Sequence, residues 1–179
     1  MVVIDEAYVD FAGDHCLDFV RDHANVIVAR TFSKAVAFAG MRVGWAVGAP
    51  PLIAALNKVK DSYNVNRLSQ VGAEAALDDW AYYAGNVARL CATRERVIAE
   101  LTKLDFFVYP SQTNFVFARP PAALRAKQWF DGLRTRNILV RWWDAERIRD
   151  FARVSIGTDE EMNKFLGATK DCLPPSGRG

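Results

Sequence analysis

The amino-acid sequence predicts an α/β fold. Two apolar runs rich in β-branched residues, 2–4 and 25–30, read as buried strands, helical patterns lie between strand candidates, and the strand–helix–strand rhythm recurs along 179 residues. The hydrophobic share of 51% and charged share of 25% are ordinary globular usage, which excludes an intrinsically disordered chain. Lys and Arg number 23 against 21 Asp and Glu, so the signs nearly cancel and a strongly basic nucleic-acid platform is excluded. The length suits one large domain or two small ones.

Val2-Val3-Ile4 is stopped by Asp5-Glu6, which puts two acids at the carboxyl end of the first strand. An opening on a central strand predicts that residues of a longer parent precede Met1. Residues 11–23 read as a polar loop and a short helix. The second strand, 25–30, runs into Thr31-Phe32-Ser33-Lys34, and a third, 41–47, is bracketed by Gly40 and Gly48. Pro50-Pro51 turn the chain into a helix over 52–61. Residues 68–76 are helical, and a long helix rich in Ala, Arg and Glu runs over 80–103. Loop and strand follow over 105–118, interrupted at Pro110. Pro120-Pro121 precede a helix over 122–136, and 138–142 and 151–156 are strands. Thr158, with Glu161 three residues on, forms a capping box for a last helix. The Pro-rich tail is expected to be disordered. Residues 1–80 thus read as a piece of a mostly parallel, three-layer α/β domain, 81–104 as a long connecting helix, 105–173 as a small α+β domain and 174–179 as the tail.

Cys16, Cys91 and Cys172 are odd in number and form no C-x-x-C, which argues against a disulfide framework or a thiolate zinc site and for a reducing cytoplasm. His15 and His23 lack metal-ligand spacing beside Cys16, so no metal is expected. No apolar run has the length of a bilayer span, and the first residues do not form an export signal.

The residues that carry chemistry sit in four short segments: Asp5-Glu6-Ala7-Tyr8, Ser33-Lys34, Gly40-Met41-Arg42-Val43-Gly44 and Arg153-Val154-Ser155-Ile156-Gly157-Thr158. Open α/β sheets bind ligands outside the carboxyl ends of their strands. Asp5 and Ser33-Lys34 each follow a strand directly, so one crevice can hold them. A lysine amine condenses with an aldehyde, and a buried aspartate keeps a pyridine nitrogen protonated. A tyrosine tunes the ring hydroxyl, a serine and an arginine suit a phosphate, and a second arginine suits a carboxylate.

The D-E-A-Y at 5–8 followed by S-K-A-V-A-F-A-G-M-R-V-G-W at 33–45 resembles the type I pyridoxal phosphate-dependent aminotransferase family, and most of all its histidinol-phosphate aminotransferases. Y-N-V-N at 63–66, P-S-Q-T-N-F-V at 110–116 and R-V-S-I-G-T at 153–158 are similar to that subgroup too, in the same order. The resemblance implies the C-terminal portion of that fold, pyridoxal 5'-phosphate as cofactor, an amino donor and a keto-acid acceptor as substrates, and a homodimer in the intact parent. It implies that Lys34 is the catalytic amine and acid–base group. Asp5 would pair with the pyridine nitrogen and Tyr8 contact the ring oxygen. Ser33 and Arg42 would hold the phosphate, and Arg153 the α-carboxylate of glutamate. The chain departs from the family at Val36 and Ala37, where Phe and Gly are common, and at Trp45, where Tyr is common. The family's Gly-rich phosphate turn and ring-stacking aromatic belong to an N-terminal portion with no counterpart after Met1.

Plainer readings stand beside these. Lys34 alone is a solvated lysine, Tyr8 a strand-end aromatic and Arg153 an edge-strand arginine. Val2-Val3-Ile4-Asp5-Glu6 would also pass for the Mg²⁺-binding strand of a P-loop ATPase, a reading that leaves the downstream motifs unexplained. A third alternative is a non-catalytic remnant. Trp142 and Trp143, adjacent on a strand, point to opposite faces, and at least one belongs in the core.

Overall fold

The computed structural model describes residues 1–174, and the remaining tail, with the disorder expected of it, lies outside the described residues. Contacts divide the chain into two compact units, 1–88 and 89–179.

The first unit holds a three-stranded sheet. Strand β1 (Val2–Asp5) pairs in parallel with the central β2 (Val26–Thr31), and β3 (Gly44–Gly48) pairs antiparallel with the other side of β2. A short helix α1 (Leu17–Asp22) supplies the crossover that a parallel pair requires. Residues 32–43 turn back with no crossover helix, so β3 must run antiparallel, and only one of the two pairings in this sheet is parallel. The third strand also starts later than expected: a single 3-10 turn covers Ala39–Met41 and Arg42 adopts a left-handed backbone, φ 56°. Val26, Ile27 and Val28 are buried as their sequence predicts, whereas Val2 and Val3 on β1 are exposed, correcting the expectation of a buried first strand. The difference is position: β2 has a strand on each side and β1 has one.

Helices α2 (Pro50–Val59) and α3 (Arg67–Asp78) follow. Proline at the first turn of α2 lacks the N–H that a helix start leaves unpaired. Asn66 caps α3 by accepting a hydrogen bond from the Ser69 N–H at 2.9 Å. The Ser69 hydroxyl, fully buried, donates to the Met41 carbonyl at 2.7 Å and ties α3 to the turn before β3. Phe32, Val36, Ala73 and Ala76 form the small core between them. Helix α4 (Trp80–Lys103) matches its expected bounds and contains the division between the units.

The second unit is an antiparallel sheet in the order β4-β5-β7-β6, from β4 (Phe107–Val108), β5 (Phe115–Arg119), β6 (Arg141–Trp142) and β7 (Ala152–Ser155). One face packs on α5 (Ala126–Arg134) and α6 (Asp159–Cys172) through Val116, Ala118, Val154, Trp129 and Phe165, all buried. Alternation puts Phe115, Phe117 and Arg153 on the opposite face. Trp129 donates its indole N–H to the Thr169 hydroxyl at 3.2 Å inside this core. The capping box at Thr158 and Glu161 forms as the sequence predicts. The helix expected over 122–136 is shorter at both ends, and 138–140 do not pair as a strand. No helix among the described residues is long and apolar enough to cross a membrane.

Candidate active site

Parallel pairing of β1 with β2 brings two carboxyl ends side by side, with Asp5 opposite Ala29. The chain leaves β1 through Glu6, Ala7 and Tyr8, and leaves β2 through Phe32, Ser33 and Lys34. The two exits meet: Lys34 Nζ lies 5.4 Å from the centre of the Tyr8 ring. The Lys34 carbonyl accepts from the Ala37 N–H at 3.0 Å, while among the described residues no ion pair or hydrogen bond engages its amine. Asp5 is exposed here, not buried as expected. Its Oδ1 accepts from the Ala7 N–H at 3.0 Å, which fixes the carboxylate over the strand end.

Glu6 is the buried acid of the pair. It accepts from Arg30 Nε at 2.8 Å and from the Cys16 N–H, tying the exit of β1 to β2. Burial alone would raise its pKa; the Cys16 N–H bond and then the Arg30 hydrogen bond and charge outweigh burial and hold the carboxyl below its ordinary value. Arg30 also lies 5.2 Å over the ring of Trp45, its cross-strand neighbour on β3. A chain of contacts from Glu6 through Arg30 to Trp45 thus spans all three strands just before Ser33 and Lys34.

The Ser33 hydroxyl accepts from Thr31 Oγ1 at 2.8 Å, and Thr31 Oγ1 accepts from the Ser33 N–H at 3.0 Å. Thr31, which the sequence reading did not single out, thus steadies the candidate residue Ser33, and the T-x-S-K spacing at 31–34 was the signal available. Arg42 belongs to the same sheet end, because the Phe32 N–H donates to the carbonyl of its neighbour Val43 at 3.1 Å. Its guanidinium is exposed and donates to the Ala39 carbonyl at 3.0 Å. A Cβ at Gly44 would come within 2.7 Å of the Arg30 carbonyl, so only glycine lets β3 approach β2 here. Ala37 and Arg42, both with positive φ, bracket the turn between the amine and the phosphate-type arginine.

Arg153 belongs to the second unit. It stands on β7 directly opposite Arg141 of β6 and Phe117 of β5. Its guanidinium lies 5.3 Å from the Phe115 ring centre and 5.7 Å from that of Trp143, and Arg141 lies 5.3 Å from the same Trp143 ring. Arg153 Nε is buried with no hydrogen-bond partner among the described residues. Arg141 is a second cation that the sequence reading passed over; only strand register reveals it. Trp142 turns to the other side and donates its indole N–H to the Arg149 carbonyl at 2.7 Å.

These groups form a donor set that fits an anionic pyridine aldehyde in the first unit, with a free amine, a carboxylate with one uncommitted oxygen, a hydroxyl and an arginine. The second unit offers an unpaired guanidinium to a carboxylate.

The sequence profile of the class I and II aminotransferases matches residues 1–168. Histidinol-phosphate aminotransferase of Clostridium acetobutylicum is 44% identical over 176 residues, covering 97% of this chain and 50% of its own length. The enzyme of the same name from Geobacter sulfurreducens is 48% identical over 171 residues, covering 96% and 49%. Among solved structures, histidinol-phosphate aminotransferase of Sinorhizobium meliloti in complex with pyridoxal-5'-phosphate superposes with a TM-score of 0.85 at 29% identity, over 96% of this chain and 48% of that one. The chain spans about half the length of the curated relatives it matches. Its match to the profile extends through every motif from Asp5 to Arg153, and the chain belongs to the class I and II aminotransferase family.

Proposed function

We propose that this chain carries the amine-bearing part of a pyridoxal 5'-phosphate-dependent transaminase. Its couples are glutamate with 2-oxoglutarate and histidinol phosphate with its keto form, and the intact parent works as a cytoplasmic homodimer. The observation that carries the reading is the meeting of Lys34 with Tyr8 at the adjoining carboxyl ends of β1 and β2. When bound, the cofactor supplies an aldehyde and a cationic pyridine that withdraws electrons from the substrate. Lys34 would hold the cofactor through its aldehyde and, once displaced there by the substrate amine, its free amine would carry the proton to and from the substrate α-carbon, a role that commonly contributes about 10²–10⁴ in rate. Asp5 would favour a proton on the ring nitrogen by its negative charge. Tyr8 would orient the ring hydroxyl, and Ser33, steadied by Thr31, would share the phosphate with Arg42. Arg153 takes the α-carboxylate, with Arg141 adding a second positive charge.

The Mg²⁺-ATPase alternative gives no role to Lys34, Arg42 or Arg153, so the transaminase reading is preferred. The test is covalent. The protein is mixed with pyridoxal 5'-phosphate, reduced with borohydride, digested and mapped. A pyridoxyl label concentrated on Lys34, and lost in Lys34→Ala, supports the reading. Labelling spread evenly over the exposed lysines refutes it, and Mg²⁺-dependent nucleotide binding without a label supports the ATPase.

A further inference from the structure

Within the second unit, helix α4 grips the chain both before β5 and after β7. Its buried stripe is Thr93, Val97 and Leu101, at the spacing that one helix face requires. Arg94 is buried beside that stripe at 7% exposure, although arginines are seldom buried without a partner. Its Nε donates to Glu95 Oε1 at 2.9 Å, and its Nη1 donates to the Thr113 carbonyl, also at 2.9 Å. The next carbonyl, that of Asn114, accepts from the Ile156 N–H at 2.9 Å. The two carbonyls that precede Phe115 are therefore fixed by different elements, one by α4 and one by the exit of β7. The hydroxyls of Ser111 and Thr113 both donate to the Phe115 carbonyl, at 2.6 and 3.0 Å, and close the turn. Phe115 opens β5, pairs with Ser155 of β7, and places its ring 5.3 Å from the Arg153 guanidinium. Past the end of β7, Thr93 Oγ1 and Arg96 Nη2 donate to Asp159 at 3.0 and 2.8 Å.

We propose that Arg94 is a positioning residue for Arg153, acting through the Thr113 carbonyl and the Phe115 ring. The inference deepens the proposed function and rests on its assignment of a carboxylate to Arg153. Arg153 Nε has no hydrogen-bond partner among the described residues, so no bond at that nitrogen sets the direction of the guanidinium. Ring packing sets it instead, against Phe115 and Trp143. Of the two rings, Phe115 is the one whose backbone is held through α4. A carboxylate takes two parallel N–H bonds only when the guanidinium fork meets it in plane. A misplacement of about 1 Å in a substrate-positioning group can cost about 10²-fold in rate. Arginine suits position 94 because its planar fork serves Glu95 and Thr113 together, which a single ammonium point charge does less well.

The test follows side-chain N–H signals by NMR in this chain, isotope-labelled and without added cofactor. Arg94→Met keeps the aliphatic stem and removes the guanidinium. Hydrogen exchange at the Arg153 Nε–H should quicken by about tenfold or more, while the Trp129 indole N–H in the same unit keeps its rate. Arg94→Lys retains one charged donor for the Thr113 carbonyl and should stay within about threefold of wild type. Phe115→Leu leaves that carbonyl bonded to Arg94 and should reproduce the Arg94→Met effect at Arg153. Titration with 2-oxoglutarate should then shift the Arg153 signal, at about tenfold higher concentration in Arg94→Met than in wild type. Unchanged exchange at Arg153 in Arg94→Met, or an equal quickening at Trp129, overturns the positioning role. If Arg94→Met does not fold, wild-type exchange at Arg153 in Phe115→Leu overturns it. A wild-type Arg153 signal that ignores 2-oxoglutarate refutes the carboxylate assignment, and the exchange rates still decide whether Arg94 governs Arg153.

Discussion

Glu6→Ala tests what holds the two strand ends together. The Glu6 side chain is 6% exposed and that of Arg30 is 18% exposed. Removing the carboxylate leaves the Arg30 charge unpaired in that setting and the Cys16 N–H without its acceptor. Breaking a buried pair from one side costs about 3–5 kcal/mol. Residual exposure of Arg30 admits some water, so the lower end, about 3 kcal/mol, is expected. Glu6→Gln keeps an acceptor for Cys16 and exchanges a charge-assisted bond for a neutral one, a loss of about 1 kcal/mol. Glu6→Ala with Arg30→Met removes both charges and should lose about 1–2 kcal/mol less than the sum of the single losses. The pH dependence has a definite sign. A carboxyl held below its ordinary value of 4.5 contributes stability that is complete above that value and is lost as pH falls through the folded pKa. Asp10 runs the other way: burial lifts its pKa, so its contribution is lost as pH rises past 3.8. The difference between wild type and Glu6→Gln isolates Glu6. Native-state hydrogen exchange at the β2 amides is the assay, because it reports the first unit without requiring both units to unfold together. A Glu6→Ala loss below about 0.5 kcal/mol, the range of an ordinary surface change, would refute the clamp.

In the second unit, Thr169→Val keeps the volume but orphans the Trp129 indole N–H, and urea unfolding should show a loss of about 1–2 kcal/mol; an unchanged midpoint would exclude that bond as a contributor. Ala37 has φ 58° and is exposed, so Ala37→Gly should relieve left-handed strain and raise first-unit stability by about 0.5–1 kcal/mol, with any decrease counting against it. The hydrogen bond from Arg96, then that from Thr93, hold Asp159 below its ordinary 3.8. A carboxyl titration by NMR should give a midpoint under 3.8 that rises in Arg96→Ala, and the associated stability is lost only as pH falls below that value.

The strands and helices with strong local signals were legible. Residues 25–30 form β2 within a residue, the long helix begins at Trp80 and ends at Lys103, and Thr158 caps the last helix. The third strand was misjudged at its start because Met41 and Val43 are apolar, while the backbone at Arg42 is set by the 3-10 turn and by Ser69 reaching the Met41 carbonyl. No local pattern encodes a hydrogen bond from a helix 28 residues away. The burial of Val2 and Val3 was overestimated for a related reason: β-branched composition reports what a strand is suited to, and burial reports what lies beside it. At the site, the exits of β1 and β2 could be expected to share one end of the sheet because the strand ends of a parallel pair adjoin, and Tyr8 and Lys34 meet there. Glu6 was passed over beside its more conspicuous neighbour, although it is the acid that the fold buries. Ala37 was noticed only as an unusual letter; its left-handed backbone gives the physical reason that glycine suits the position.

Arg141 and Arg153 show what register adds to motif. Like charges directly opposite on neighbouring strands are destabilising, by roughly 0.2–1 kcal/mol. The aromatic faces of Phe115 and Trp143 return part of that, since each cation lies within reach of a ring quadrupole. They return nothing for the Arg153 Nε–H, because a ring face offers that in-plane donor no acceptor lone pair, and an unpaired buried donor costs about 1–3 kcal/mol. An apolar residue in place of Arg153 would make a more stable sheet by the reasoning that favours apolar replacement of an unpaired buried donor. Local rules broken without a structural return are found where a fold serves a ligand. A carboxylate accepting from Arg153 Nε would satisfy the orphaned donor and offset the like charge, which supports the carboxylate proposed at Arg153.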